Sequence, residues 1–165
     1  MEPLLPHAVM DELDDAGTRS VVAVQRLQAA YGDAVTRRAW PEVADLFEPG
    51  AVVHIDTHSR PAFALTGPAE ITAFIERSLE GFRFFEFAIL NSVADVDGDH
   101  GRGRVYLCEL RHAHDGTWTQ AYGLYRDEYV RRQGRWRIAG RRYSSLARSG
   151  PPVESFDLPP DVLPP

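Results

Sequence analysis

Four runs of alternating apolar and polar residues fill the second half of this chain. They lie at about 82–96, 102–113, 117–131 and 135–147, and Asp97-Gly98, Asp115-Gly116 and Gln133-Gly134 separate them. Alternation with a period of two marks strands packed into a sheet, and Asp-Gly between two such runs is a strong hairpin signal. The runs predict an antiparallel meander. Ahead of them the period is helical. Val24, Leu27, Tyr31 and Val35 place one apolar stripe on a helix that Thr18 or Ser20 would cap and that would run to about Arg38. Trp40-Pro41 opens a second, short helix through Phe47, which Glu48-Pro49-Gly50 should stop. AVVHID reads as a short strand, and Thr66-Gly67-Pro68 leads into a third helix ending near Gly81. Helices first and a meander after them define an α+β fold.

The ends differ from this core. Residues 1–17, with Pro3, Pro6 and an acidic cluster, read as a flexible arm; 18–148 form the domain; 149–165 are a proline-rich tail. Proline has no N–H for a strand ladder, so the tail is expected to wrap extended over the surface, anchored by Phe156 and Leu158. A domain of this length buries a core without metal or disulfide, and the single Cys108 rules out an internal disulfide and agrees with a reducing cytosol. No signal-peptide layout or membrane-length apolar run is present, so a cytoplasmic protein is expected. A net charge of −6 argues against nucleic acid as partner. All 18 basic residues are arginine; the cluster Arg131, Arg132, Arg135, Arg137, Arg141 and Arg142 reads as a solvated hairpin end. Asp127 and Glu128 should pair with arginines on neighbouring strands.

Strict alternation sorts the strands into two faces. One collects Phe85, Phe87, Ile89 and Asn91, then Val105, Leu107 and Glu109, then Ala121, Gly123 and Tyr125, then Arg141, Tyr143 and Ser145. A few polar groups among bulky apolar ones is the usual make-up of a small-molecule pocket, here for a small apolar organic ligand. Arg141 and Glu109 could also simply pair. The other face carries Phe82, Phe84, Ala88, Leu90, Tyr106, Cys108, Leu110, Tyr122, Leu124, Trp136 and Ile138. Both faces are apolar, and three helices cover one, so a second copy should cover the other in a homodimer through the sheet backs, with Trp136 and Ile138 in its core.

The segments YGDAVTRRAWPEVADLF, TGPAEITAFI, FEFAILNSVADVDGD and YRDEYVRRQGRWRIAGRRYSSLARSGP, in this order over about residues 18–150, resemble the SnoaL-like branch of the nuclear-transport-factor-2-like (NTF2-like) superfamily. The resemblance implies a cone: a strongly bent sheet round a long helix, with a cavity opening at one end. Enzymes on this fold include polyketide cyclases, dehydratases, a dehydrochlorinase, an isomerase and an epoxide hydrolase. The dehydratase and dehydrochlorinase members use a first-helix Tyr or Lys, an Asp five residues on, a strand His and a last-strand Arg. His acts as general base, Asp holds its tautomer, and Tyr and Arg polarise or receive the leaving group. The Tyr and Arg positions fall on Tyr31 and Arg141. The Asp and His positions fall on Thr36 and Phe87, neither of which can serve as the base.

A proton carrier must then come from elsewhere. Glu109 faces the pocket by register, and Asp56 stands near its expected mouth. His54, Asp56 and His58 at alternate positions, and His112 with His114, also suggest metal ligation, but alternate histidines near turns usually face solvent and no metal is expected. Gly101-Arg102-Gly103 precedes no helix and is no phosphate loop; Ser144-Ser145 lacks a nucleophile context. The expected activity is a cofactor-independent lyase, isomerase or cyclase step on an oxygenated polyketide, steroid or terpenoid, with Tyr31, Glu109, Arg141 and Asp56 as catalytic candidates. The alternative is a non-catalytic binding or assembly module. Phe85, Phe87, Ile89, Asn91, Val105, Leu107, Tyr125 and Tyr143 are the expected ligand contacts.

Overall fold

The computed structural model describes residues 12–150 and 154–162. Most of the predicted N-terminal arm, residues 1–11, therefore lies outside the described residues, as do 151–153 and 163–165 of the tail. Helix α1 spans Asp15–Thr36, starting within the segment expected to be arm. Its cap is Asp14, whose carboxylate accepts the Gly17 N–H at 2.7 Å. A carboxylate at a helix N-terminus satisfies a free N–H and meets the positive end of the helix dipole, which is why the helix reaches back past Thr18. Val24, Leu27, Gln28, Tyr31 and Val35 form its buried stripe.

Helix α2, Trp40–Asp45, is shorter than expected. Glu48-Pro49-Gly50 is no stop signal but lies within strand β1, Phe47–Asp56. Pro49 is tolerated because the pairing slips between Phe47 and Val52, where no ladder N–H is required. A four-residue strand that sequence reading passed over, β2 at Phe63–Thr66, pairs antiparallel with β1. Helix α3, Gly67–Leu79, follows directly, and Glu70 reaches back to the Thr66 N–H at 2.6 Å.

The four predicted runs are strands β3 (Phe82–Asp97), β4 (His100–Ala113), β5 (Trp118–Arg132) and β6 (Arg135–Arg148). At the last hairpin Gln133 and Gly134 both take positive φ, 52° and 74°, as a type I′ turn demands. The sheet runs β2-β1-β6-β5-β4-β3, with β1 parallel to β6 and all other neighbours antiparallel. It is curved and does not close, and α1 packs against β3 on its concave side.

Strict alternation fails at four places, and each failure has the same cause. The register shifts at Arg83 and Leu90 on β3 and at Ala139 and Leu146 on β6, each inserting one extra residue. A one-residue bulge turns everything beyond it to the opposite face. Trp136 and Ile138 therefore share the inner face with Arg141 and are buried in the core, Ile138 at 0% exposure, so they cannot be a dimer core. The bulge at Arg83 brings Phe82 inward, and the one at Leu90 turns Asn91 out to solvent.

The tail also departs from expectation. Glu154–Ser155 forms β7, pairing with Ala147 and Arg148 of β6, and the Phe156 N–H donates to the Leu146 carbonyl at 2.8 Å. Phe156 anchors the tail, stacking on His58 at 4.3 Å, and Asp161 pairs with Arg126, while Leu158 stays exposed. The arginine cluster is more ordered than a solvated hairpin end implies. Arg131 pairs with Asp99, Arg132 and Arg137 with Glu48, and Arg135 with Asp45.

Candidate functional site

An apolar cavity of about 400 Å³ lies between the concave sheet, α1 and α3. Tyr31 and Val35 of α1, Phe47, Val53 and Ile55 of β1, and Ile71, Phe74 and Ile75 of α3 form much of its wall. The sheet adds Phe82, Phe85 and Phe87 from β3, Glu109 and Arg111 from β4, Tyr125 from β5, and Arg141 and Tyr143 from β6. Tyr31, Phe47, Tyr125 and Arg141, buried and in mutual ring and cation–π contact, form its floor, and exposed Arg60 and Ser78 with half-buried Thr57, Phe82 and Arg111 mark the mouth.

At the floor, Arg141 is held by Asp127 in a two-pronged ion pair. Nε donates to Oδ1 at 2.8 Å and Nη2 to Oδ2 at 2.7 Å, with side-chain exposures of 3% and 0%. This answers the expectation that Asp127 pairs with an arginine and removes the one that pairs Arg141 with Glu109. Tyr129 donates to the same Asp127 at 2.9 Å, and Gln28 donates to the Tyr129 oxygen at 2.9 Å, so a buried polar chain runs from α1 through β5 to β6. Burial opposes the Arg141 charge, but Asp127 more than offsets it, and the guanidinium titrates above its usual range. Its carbon lies 3.8 Å from the Tyr125 ring centre and 4.2 Å from that of Tyr31, cation against two π faces. Among its own nitrogens, Nη1 is buried with no hydrogen-bond partner among the described residues.

The Tyr31 and Tyr125 hydroxyls stand 3.4 Å apart. Burial pushes both phenols above the usual tyrosine range, Tyr125 well above it, although Arg141 pulls each back. Tyr143 is pushed up to about 12, by burial first and by Glu109 second. All three are therefore hydrogen-bond donors at neutral pH and not bases. Glu109, half-buried at the other end, accepts from Arg111 Nε at 3.0 Å.

Phe87 and Thr36 meet in space: the Phe87 N–H donates to Thr36 Oγ1 at 3.0 Å. The Phe87 ring stacks on Tyr125 at 5.8 Å and meets Tyr31 edge-on at 5.5 Å. Hydrocarbon therefore fills this part of the cavity wall, between Tyr31 and Tyr125.

The cavity brings together Tyr31, Glu109, Arg141, Phe85, Phe87, Tyr125 and Tyr143 of the expected residues. It leaves out five. Asp56 lines a separate groove with His54, Arg126 and Arg142, and accepts the His58 N–H at 2.9 Å. Ile89 and Asn91 are exposed, and Val105 and Leu107 are packed into the core away from the cavity. His58 leaves β1 with φ 57° and stacks on Phe156, and among the described residues no three His, Cys, Asp or Glu side chains group to hold a metal ion. Arg111 and the α3 wall were missed. Arg111 shares the parity of Glu109, and Ile71, Phe74 and Ile75 follow helical spacing, so both signals were present.

A bent, open sheet curled over one long helix and a blind apolar cavity defines the NTF2-like class. Solved structures share it. A candidate scytalone dehydratase of Novosphingobium aromaticivorans superposes with a TM-score of 0.74 at 18% identity, over 89% of this chain and 94% of that one. The LinA-type3 hexachlorocyclohexane dehydrochlorinase of Novosphingobium barchaimii gives 0.71 at 17% identity, over 88% and 100%. A candidate dehydratase from the NTF2-like family of Streptomyces avermitilis gives 0.68 at 14% identity, over 79% and 98%. The SnoaL-like domain model matches residues 18–142, and the chain belongs to the SnoaL-like family. No curated protein matches it.

Proposed function

We propose that this protein carries out a cofactor-independent lyase, isomerase or cyclase step on one small, apolar, oxygen-bearing metabolite of polyketide, steroid or terpenoid type. One observation carries the proposal: protonated Tyr31 and Tyr125 and the carboxylate of Glu109 face the same largely apolar cavity. The phenols, with Nη1 of Arg141, donate to a ligand oxygen as it gains charge, and Glu109 accepts a proton from the neighbouring carbon, oriented by Arg111. The dehydratase and dehydrochlorinase named among the structural neighbours support a lyase-type step. Among the described residues no helix is long and apolar enough to cross a membrane; we place the protein in the cytoplasm, in keeping with its free, buried Cys108.

The second reading is a binding module without turnover. Phe87 and Thr36 favour it, because they fill the place of the base with hydrocarbon and a tied-down hydroxyl. Thermal-shift screening against aromatic polyketides, steroids and terpenoids, followed by product analysis of each hit, decides between them. The expected result is a stabilising ligand recovered dehydrated, isomerised or cyclised, with Glu109→Gln abolishing turnover and keeping the thermal shift. A ligand recovered unchanged rejects the catalytic proposal. Arg141→Ala is a poor probe, since it strands the buried charge of Asp127.

A further inference from the structure

The cavity's charges do not cancel, and the remainder lies at its mouth. Four charged side chains line it: Arg60, Glu109, Arg111 and Arg141. Arg141 is neutralised by Asp127 and Arg111 by Glu109. Arg60 has no carboxylate partner among the described residues. Instead its guanidinium lies flat on Phe63, 4.2 Å from the ring centre, and 5.8 Å from that of Phe74. These two rings pack edge-on at 5.4 Å, and Phe74 belongs to the cavity wall. A guanidinium stacked on aromatic faces keeps its edge free, and that edge presents the paired N–H donors that match a carboxylate. In a protein of net charge −6, the open end of the cavity thus carries one cation with no carboxylate against it among the described residues.

From this we infer that the ligand is an amphipathic monocarboxylate. Its apolar body fills the cavity toward Tyr31 and Tyr125, and its carboxylate sits at the mouth on Arg60. The inference rests on the proposal that the cavity binds a small organic molecule, and it narrows the substrate class to an acid. One charge at the mouth suits a monoanion; a phosphate dianion would bring a second charge with no counterpart.

The carrier turn, residues 57–62 between β1 and β2, is itself held. His58 on it stacks against Phe156 of the tail, and Arg60 packs over Phe63 and Phe74, so the turn is held at two points.

The test is isothermal titration calorimetry of the full chain, at low salt, with decanoic, 4-phenylbutyric and 1-naphthaleneacetic acids, each against its primary amide. The body of each pair is the same and only the charge differs. The acid of each binding pair should bind about five- to tenfold tighter than the amide, the range of a charge-assisted bond at a part-exposed site. Arg60→Gln should bring the acid to the amide's Kd and leave the amide's Kd unchanged, while Arg60→Lys should retain part of the preference. Amides that bind as tightly as their acids overturn the inference and leave the pocket intact. A preference for acids that survives Arg60→Gln also overturns it. Failure of every acid and every amide to bind rejects the small-molecule cavity itself, and the inference with it.

Discussion

Replacing Asp127 with asparagine keeps the shape of the side chain and removes the charge that faces Arg141. The carboxylate has no exposure, the guanidinium 3%, and the two are joined through both prongs at 2.7 and 2.8 Å. Water cannot replace the lost charge. Breaking a buried ion pair by neutralising one member costs about 3–5 kcal/mol. For a chain of this size that corresponds to a fall in Tm of roughly 6–20 °C. The cost is that of leaving a cation unpaired and not the net worth of the pair. Removing both charges should therefore recover most of it: Asp127→Leu with Arg141→Met should come within about 1–2 kcal/mol of the parent, since an apolar replacement of a buried pair is often near neutral. Tyr129 would keep its hydrogen bond from Gln28 in that variant. Urea unfolding followed by far-ultraviolet circular dichroism on the parent, Asp127→Asn, the Asp127→Leu and Arg141→Met singles and their double gives the coupling energy directly. A loss below about 1 kcal/mol for Asp127→Asn, or additive effects in the double, would refute the view that this pair is desolvated.

Alkaline pH should loosen the fold through its buried tyrosines. Tyr31, Tyr125, Tyr129 and Tyr143 all titrate above the usual value, Tyr143 at about 12, chiefly because of burial. Unfolded tyrosines lose their protons near pH 10 while these keep theirs, so the unfolded state binds fewer protons there. Their contribution is whole below pH 10 and is lost as pH rises toward the folded values; a urea midpoint that does not fall between pH 10 and 12 would contradict the burial of these rings. The outer sheet face gives another prediction. Phe84, Leu90 and Trp118 are 41%, 59% and 60% exposed, and we propose that a second copy covers them. Light scattering should show a dimer at micromolar concentration that Trp118→Glu converts to monomer; a monomeric parent would end that proposal.

The meander was legible because two independent signals agree along it. Alternation gives the strands, and a turn pair that tolerates positive φ gives each break. The cavity's polar core was legible for the same reason: Glu109, Tyr125, Arg141 and Tyr143 sit between bulges, where counting by twos still holds. Beyond the bulges it does not. Nothing in the composition around Ala139 or Leu90 announces an extra residue, so Trp136 and Asn91 were placed on the wrong faces. That Asp127 would pair with Arg141 in particular was out of reach for another reason. Asp127 lies directly opposite it across the ladder, and knowing that requires the register of β5 on β6, which single-strand patterns do not supply. Four-residue β2 and two-residue β7 are too short for any period to show.

The bulge at Ala139 makes the identity of the buried cation a matter of counting. With Trp136 and Ile138 anchored inward, the extra residue is what presents Arg141 and not Arg142 to the cavity. Deleting Ala139 would make Ile138 and Gly140 consecutive partners of Tyr129 and Glu128, so the bulge would vanish while Arg141 and Tyr143 still faced inward; pairing the unchanged sequence without the bulge would instead turn Arg142 and Ser144 inward and Arg141 and Tyr143 outward. A chain built this way can exchange the whole chemical lining of one wall by a one-residue slip of register, without changing one amino acid of the strand. The bulge at Ala139, as much as the side chains of the wall, therefore decides which groups the ligand meets.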